Sequence, residues 1–348
     1  MKNILLFILL LFSFVSHSQS VKKGSVVSVH FLAPSLKGYI AGENPMRSMT
    51  IYLPPGYTGG VSHYPVIYYL HGYSFNDSTC FAWLQVNILM DAAIARGIIR
   101  PTIIVVPDSY TSFGGSFYTN STATGNWGDY IGRDVVQYVD GHFRTIPNRN
   151  SRGVTGISMG GNGAIKMGML FPEVFGAVYA STPAVLNWSD AINPSIPAFK
   201  LISERKDQEI NDSFPAQLMI DLARTYSPDT NKAPWYANFP ATYNGDSLVI
   251  NTAVVRQWNA NLPMQMIDDH FLALESLNAF KMDWGRNDEG RHNPGLCLEF
   301  SKKLEHFGVK HFAEEYLGGH ADQLPGLQGR FYMSVLPFFQ MYLSDGAR

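Results

Sequence analysis

Gly156-Ile157-Ser158-Met159-Gly160 is a G-x-S-x-G run lying between a β-branched segment at residues 152–157 and a segment rich in small residues at 161–170. A chain that passes abruptly from strand to helix strains the residue at the apex and leaves no room for a Cβ on either side. Glycines around a serine in that setting therefore mark a nucleophile whose hydroxyl stands clear of a sheet. The pattern by itself is weak in a chain holding 31 glycines; its placement between strand and helix singles out Ser158.

A serine hydroxyl attacks poorly at neutral pH. It needs an imidazole to take its proton and a carboxylate to orient that imidazole. On sheets that carry a serine at such a turn, the chain order is serine, acid, histidine, with the acid after the next-to-last strand and the histidine after the last. Asp288 follows an apolar run ending at Trp284, and His320 follows one ending near Leu317, within Gly318-Gly319-His320. Asp283 and Glu289 are the rival acids, and His292 is the rival base. A developing oxyanion also needs two fixed backbone N–H donors. Met159, next after the serine, supplies one; Tyr73, in the His71-Gly72-Tyr73 loop after the third strand, supplies the other, with His71 shaping the turn.

The elements that must hold these residues follow from apolar patterning. Residues 25–31 and 48–53 alternate as antiparallel strands would. Continuous apolar runs at 64–70 and 102–106 are the mark of strands covered on both faces, as in a parallel sheet. Helical spacing fills 81–96 and 130–139, and further strands are expected at 152–157, 177–180, 279–284 and 310–316, with a helix at 296–307. Repeated alternation of strand and helix predicts a mostly parallel, doubly wound α/β sheet. From about 183 to 276 the rhythm breaks, and Trp188, Phe199, Trp235, Tyr236, Phe239, Tyr243 and Trp258 accumulate. That segment reads as a partly helical cap inserted over the functional edge of one catalytic domain, 19–348. Most of its aromatics are expected to form a satellite core.

With 348 residues, 46% of them hydrophobic and 16% charged, the chain can bury a large core. A formal net charge of -2 with scattered basic residues gives no footprint for nucleic acid. Lys2, an apolar run at 4–15 and the small residues around 16–18 fit a signal peptide, 1–18, cleaved after Ser18 and too short to span a bilayer. Export to a periplasmic or extracellular compartment follows, without stable membrane insertion. Cys80 and Cys297, the only cysteines, are expected as buried thiols, with a bridge left open. Neither has metal-ligand spacing, and His306 and His311 are expected at the surface.

The residues 64–72, the Asn126-Trp127-Gly128-Asp129-Tyr130 run, the residues 156–161 and the loops bearing Asp288 and Gly319-His320 together resemble the putative-esterase family of α/β-hydrolases. That family includes esterase D, S-formylglutathione hydrolases, feruloyl and acetyl-xylan esterases, and mycolyltransferases. The resemblance covers most of 45–340. It departs in the length of 183–276 and in Tyr73, whose position varies among relatives. It implies an α/β-hydrolase fold and a serine carboxylesterase or an acyl-transfer relative, without metal or organic cofactor. The expected function is thus an exported esterase acting through an acyl-Ser158 intermediate on carbohydrate or phenolic esters, whether small molecules or polysaccharide-linked. The alternatives are an acyltransferase on a sugar alcohol, a siderophore esterase, and a non-catalytic carbohydrate-binding protein. Oligomeric state is left open.

Overall fold

A computed structural model of the protein describes residues 22–41, 43–187, 197–290 and 293–346. The expected signal peptide, Trp188 and His292 lie outside the described residues. The apolar runs become the strands of one eight-stranded sheet: β1 Ser25–Leu32, β2 Met46–Leu53, β3 Val66–Leu70, β4 Ile103–Pro107, β5 Arg152–Ile157, β6 Ala177–Ser181, β7 Ala279–Gly285 and β8 Phe312–Tyr316. Their spatial order is β1-β2-β4-β3-β5-β6-β7-β8. β2 runs antiparallel to both β1 and β4, and every pair from β4 to β8 is parallel. The expected α/β-hydrolase sheet, mostly parallel and flanked by helices, is what forms.

The continuous apolar runs are explained by the pleat, which sends alternate side chains to opposite faces. Val66, Tyr68 and Leu70 enter one core together with Ile103 and Val105. Ile67 and Tyr69 enter the other with Ile104 and Val106. Both faces are covered, so every residue of β3, β4, β5 and β6 is buried.

Three elements differ from the sequence expectation. The helix expected over 81–96 is two helices, Asp77–Trp83 and Val86–Ala95, broken where Gln85 adopts φ 56°. Neither glycine nor proline marks that break. Residues 331–342 form a π-helical turn, Phe331–Val335, continued by helix Leu336–Tyr342. Phe331, Tyr332, Val335, Leu336 and Phe339 are buried against the second face of the sheet, at a helical spacing legible in the sequence but absent from the expected elements. Third, helix Pro263–Glu275, at the end of the 183–276 segment, packs on helix Met159–Leu170, which itself lies against the sheet. It is a crossover helix leading into β7. The remaining elements of the segment are helices Pro197–Glu204, Asp207–Asn211, Phe214–Tyr226 and Thr252–Asn259, plus the hairpin Ala241–Asn244 with Ser247–Ile250. Phe199 and Trp258 are fully buried there, whereas Trp235, Phe239 and Tyr243 are partly buried. Cys80 and Cys297 are buried free thiols.

The turn from β5 into helix Met159–Leu170 has the tightest backbone packing at the strand ends. A Cβ on Gly160 would fall on the Leu70 carbonyl, 2.6 Å from its carbon and 2.8 Å from His71 O. One on Gly161 would lie 2.7 Å from Ser181 O. These obstacles are main-chain atoms of β3 and β6, which cannot swing aside as a side chain would. Gly160→Ala is therefore expected to lower the unfolding free energy by about 3 kcal/mol or more, or to prevent folding. Gly295, exposed in helix Asn293–His306, has nothing within 4 Å of its added Cβ. Gly295→Ala should raise stability by about 0.5–1 kcal/mol. Urea unfolding of the two variants checks both, and equal, small effects would refute the packing argument.

Candidate active site

Ser158 sits at the apex between β5 and its helix with φ 59° and ψ -116°, a strained conformation for a residue with a Cβ. Its N–H donates to Ser181 O at 3.1 Å, and its carbonyl accepts from Asn162 N at 3.0 Å and Ala184 N at 3.1 Å. The strained residue is thus tied to the end of β6 and to its own helix. The loop after β3 lies alongside: a Cβ built on Gly72 would be 3.7 Å from Ser158 Cβ. Tyr73 and Met159 therefore flank the serine. Met159 is the first residue of its helix, where an N–H has no intrahelical acceptor. Among the described residues no acceptor faces the Tyr73 N–H.

Asp288 and His320, 32 residues apart, meet at the C-terminal ends of β7 and β8: His320 Nδ1 lies 2.7 Å from Asp288 Oδ2. The carboxylate is 1% exposed and the imidazole 30% exposed. Asp288 Oδ2 also accepts from Asn293 Nδ2 at 3.0 Å, and Oδ1 accepts from Gly290 N at 2.8 Å. Burial works to raise the Asp288 pKa, but the bonds from His320, Asn293 and Gly290 outweigh it and hold the carboxyl below its usual range. A carboxylate fixed in the charged state fixes the tautomer of its neighbour, with the proton on Nδ1 and the lone pair on Nε2. The two loops are laced together: Asn287 N donates to Gly318 O at 2.9 Å, and His320 N donates to Glu289 Oε2 at 3.1 Å. Tyr316 OH lies 3.2 Å from Thr182 Oγ1 and 3.4 Å from Gly319 O, linking the histidine loop to the end of β6 beside Ser158. Among the described residues no hydrogen bond joins Ser158 Oγ to His320.

The rival acids have other partners. Asp283 is fully buried within β7, where Oδ2 accepts from Tyr179 OH at 2.7 Å and Arg330 Nε at 2.6 Å. Glu289 supports the backbone of His320, and the ring turns to Asp288. Asn293 is a partner that sequence reasoning missed; nothing in a single sequence distinguishes it from any polar residue opening a helix. His71 is buried. Its Nε2 lies 2.9 Å from the N–H of Ser109, which can only donate, so Nε2 accepts and Nδ1 carries the proton toward Gly72 O at 2.8 Å. It braces the loop that holds Tyr73. His311 bonds Ser301 Oγ at 2.8 Å, and His306 is exposed.

The geometry is that of a serine beside backbone donors, with an acid–histidine pair at the same edge of the sheet. A family model described as putative esterase matches residues 43–270. The chain belongs to that family. Asp288 and His320 lie beyond the matched stretch. An endo-1,4-beta-xylanase/feruloyl esterase of Xylanibacter ruminicola is 26% identical over 175 residues, covering 47% of this chain and 22% of that protein. Esterase Rv1288 of Mycobacterium tuberculosis is 31% identical over 130 residues, 36% of this chain and 26% of that one. The chain thus spans about a quarter of the length of these relatives. A ferulic acid esterase structure matches with a TM-score of 0.63 at 20% identity, covering 92% of this chain and 99% of the other. An S-formylglutathione hydrolase from Agrobacterium tumefaciens matches with 0.59 at 15% identity, covering 93% and 98%. Both likenesses are of fold.

In this member of the putative esterase family, burial lowers the pKa of His71 to about 4, against an opposing pull from its bond to the Gly72 carbonyl. The unfolded chain takes up that proton near the ordinary value of 6.5. Stability contributed by neutral His71 is thus fully present above about pH 6.5 and is lost as pH falls toward about 4. The NMR titration of the His71 ring should have its midpoint near pH 4. Relative to a His71→Gln variant, the wild type should lose about 3 kcal/mol of stability across that window. A midpoint near 6.5 would mean the ring is open to water.

Proposed function

We propose that this chain is a serine carboxylesterase acting on acyl esters of carbohydrate or phenolic type, with Ser158 as nucleophile, His320 as general base and acid, and Asp288 as the orienting carboxylate. The observation that carries the reading is the strained Ser158 turn, with the Met159 amide at the start of its own helix and the Tyr73 amide on the neighbouring loop, sharing a sheet edge with the Asp288–His320 pair. His320 Nε2 takes the serine proton as Oγ attacks the ester carbonyl, and the N–H groups of Tyr73 and Met159 stabilise the oxyanion. The imidazolium returns the proton to the departing alcohol, leaving acyl-Ser158. Water, deprotonated by the same imidazole, then releases the acid.

The carbohydrate or phenolic side of the reading rests on three supports. One is the names of relatives such as the xylanase/feruloyl esterase. Another is the set of aromatic rings near the loop after β3. Tyr73 meets Phe214 edge-to-face at 5.6 Å, and Phe113 meets Trp235 at 6.0 Å. Phe214 is 58% exposed and offers a face for a planar group. The third is the N-terminal apolar run, which fits export to where plant or microbial polysaccharide is met. The 183–276 segment, excepting helix Pro263–Glu275, acts as the cap that admits substrate. Transfer to a sugar alcohol would use the same residues with a bound hydroxyl in place of water, and product analysis with a sugar acceptor separates it from hydrolysis.

The purified protein should release p-nitrophenol from short acyl esters and be labelled at Ser158 by a fluorophosphonate. Ser158→Ala should abolish both. Asp288→Asn should keep the fold and lower kcat by about 10³–10⁴-fold, with the wrong imidazole tautomer favoured. Asp283→Asn, which cuts a buried ion pair, should act mainly on stability, costing about 3 kcal/mol or more. Comparison of kcat with melting temperature for the two aspartate variants checks the assignment. A catalytically normal Asp288→Asn would remove it from the triad.

A further inference from the structure

Helix Phe214–Tyr226, in the segment read as the cap, sends Asp221 into the protein, where it is fully buried. Its partners belong to the loop after β4: Gly115 N donates to Oδ2 at 3.1 Å, and Thr111 Oγ1 lies 3.2 Å from Oδ1. Thr111 Oγ1 is also 3.1 Å from Gly115 O. The hydrogens can be counted. A threonine hydroxyl has one proton, so with Asp221 ionised it can serve Oδ1 or Gly115 O, and the other goes without. With a proton on Asp221 Oδ1 the ring closes: the carboxyl O–H donates to Thr111 Oγ1, Thr111 O–H to Gly115 O, and Gly115 N–H to Asp221 Oδ2.

The ring matters because of what Gly115 touches. A Cβ on Gly115 would lie 2.9 Å from Tyr73 Cδ2 and 3.0 Å from Met159 Cε. The same loop accepts the Tyr73 hydroxyl at Phe113 O and the Ser74 N–H at Gly114 O, the latter at 2.9 Å. Its backbone is thereby packed against both residues whose amides flank Ser158. We propose that Asp221 is a positioning residue for the oxyanion site, its neutral carboxyl closing a ring through Thr111 and Gly115 that locks the 111–115 loop against Tyr73 and Met159. This rests on the reading of those two amides as oxyanion donors.

The surroundings favour the neutral form. Burial pushes the Asp221 carboxyl up to about 8, against the pull of Arg224 and of the bonds from Thr111 and Gly115, while Glu43 adds to the rise. Arg224 makes no ion pair with Asp221 among the described residues; its Nη1 donates to Ser112 Oγ at 3.1 Å. Glu43 Oε1 accepts from Ser112 N and Oγ, each at 3.0 Å. The facing phenols of Tyr73 and Tyr226 are pushed up by burial and stay uncharged. Raising the pH through about 8 ionises Asp221, opens the ring and releases the loop.

The test is kcat and KM for p-nitrophenyl acetate as a function of pH in wild type, Asp221→Asn, Asp221→Ala and Thr111→Val. Wild-type kcat should decline above about pH 8. Asp221→Asn offers a donor and an acceptor at every pH, so it should stay within about twofold of wild type at neutral pH and lose the alkaline decline. Asp221→Ala and Thr111→Val should drop kcat about tenfold or more with KM within about twofold, since the interaction is needed only as oxyanion charge develops. Thr111→Val keeps the side-chain shape and reports even where Asp221→Ala fails to fold. Unchanged kcat in folded Thr111→Val, or an alkaline decline that persists in Asp221→Asn, overturns the proposal. Fluorophosphonate labelling of Ser158 in wild type separates the two levels. An unlabelled, inactive wild type counts against the catalytic reading itself, whereas a labelled, active wild type with indifferent variants counts against Asp221 alone.

Discussion

The turn at Ser158 is possible only because Gly160 presents a hydrogen to the Leu70 carbonyl where any other residue would present a Cβ. That single close approach lets helix Met159–Leu170 start directly above β5 and lets β3 and β5 end side by side. The serine itself is held at a backbone conformation that costs on the order of 1–3 kcal/mol. The cost is offset by the bond it donates to Ser181 O, the bonds it accepts from the Asn162 and Ala184 N–H groups, and by strands buried on both faces. Strain at this residue persists because everything around it is fixed.

A second constraint is the division of labour between two aspartates five positions apart. Asp283 points into the sheet, where Arg330 and Tyr179 use up its Oδ2. Asp288 leaves the sheet with β7 and finds His320, Asn293 and the Gly290 N–H in the loop region. Burial opposes ionisation of both carboxyls. The bonds around Asp288 hold its pKa below the usual carboxylate range, whereas those around Asp283 leave it raised. One group therefore serves the sheet, and the other can balance a developing imidazolium.

The third feature is that the loops after β3 and β4 behave as one body. His71 joins them through Ser109 N, Tyr73 joins them through Phe113 O, and Ser74 joins them through Gly114 O. Helix Phe214–Tyr226 closes over that body with Asp221 beneath and Phe214 at the rim. The aromatic residues of the 183–276 segment divide here: Phe199 and Trp258 are core, Trp235 is partly buried, and Phe214 is exposed.

Much of this was legible in the chain because it rests on local rules. Unbroken apolar stretches made the β3 and β4 runs recognisable and announced a sheet covered on both sides. The glycine pattern around Ser158 and the positions of Asp288 and His320 after the final strands followed from how such sheets are wound. The break at Gln85, the helices at 331–342 and the packing of helix Pro263–Glu275 on helix Met159–Leu170 were not read, since each depends on which buried surface a side chain finds. The sequence on its own determined the strand and helix alternation and the chemistry each loop could carry. The tertiary structure alone decided that Asp288 rather than Asp283 meets the imidazole, that His71 is neutral, and that Asp221 reaches Gly115. Those are contacts between groups from 32 to 106 residues apart, set by packing that no local pattern encodes.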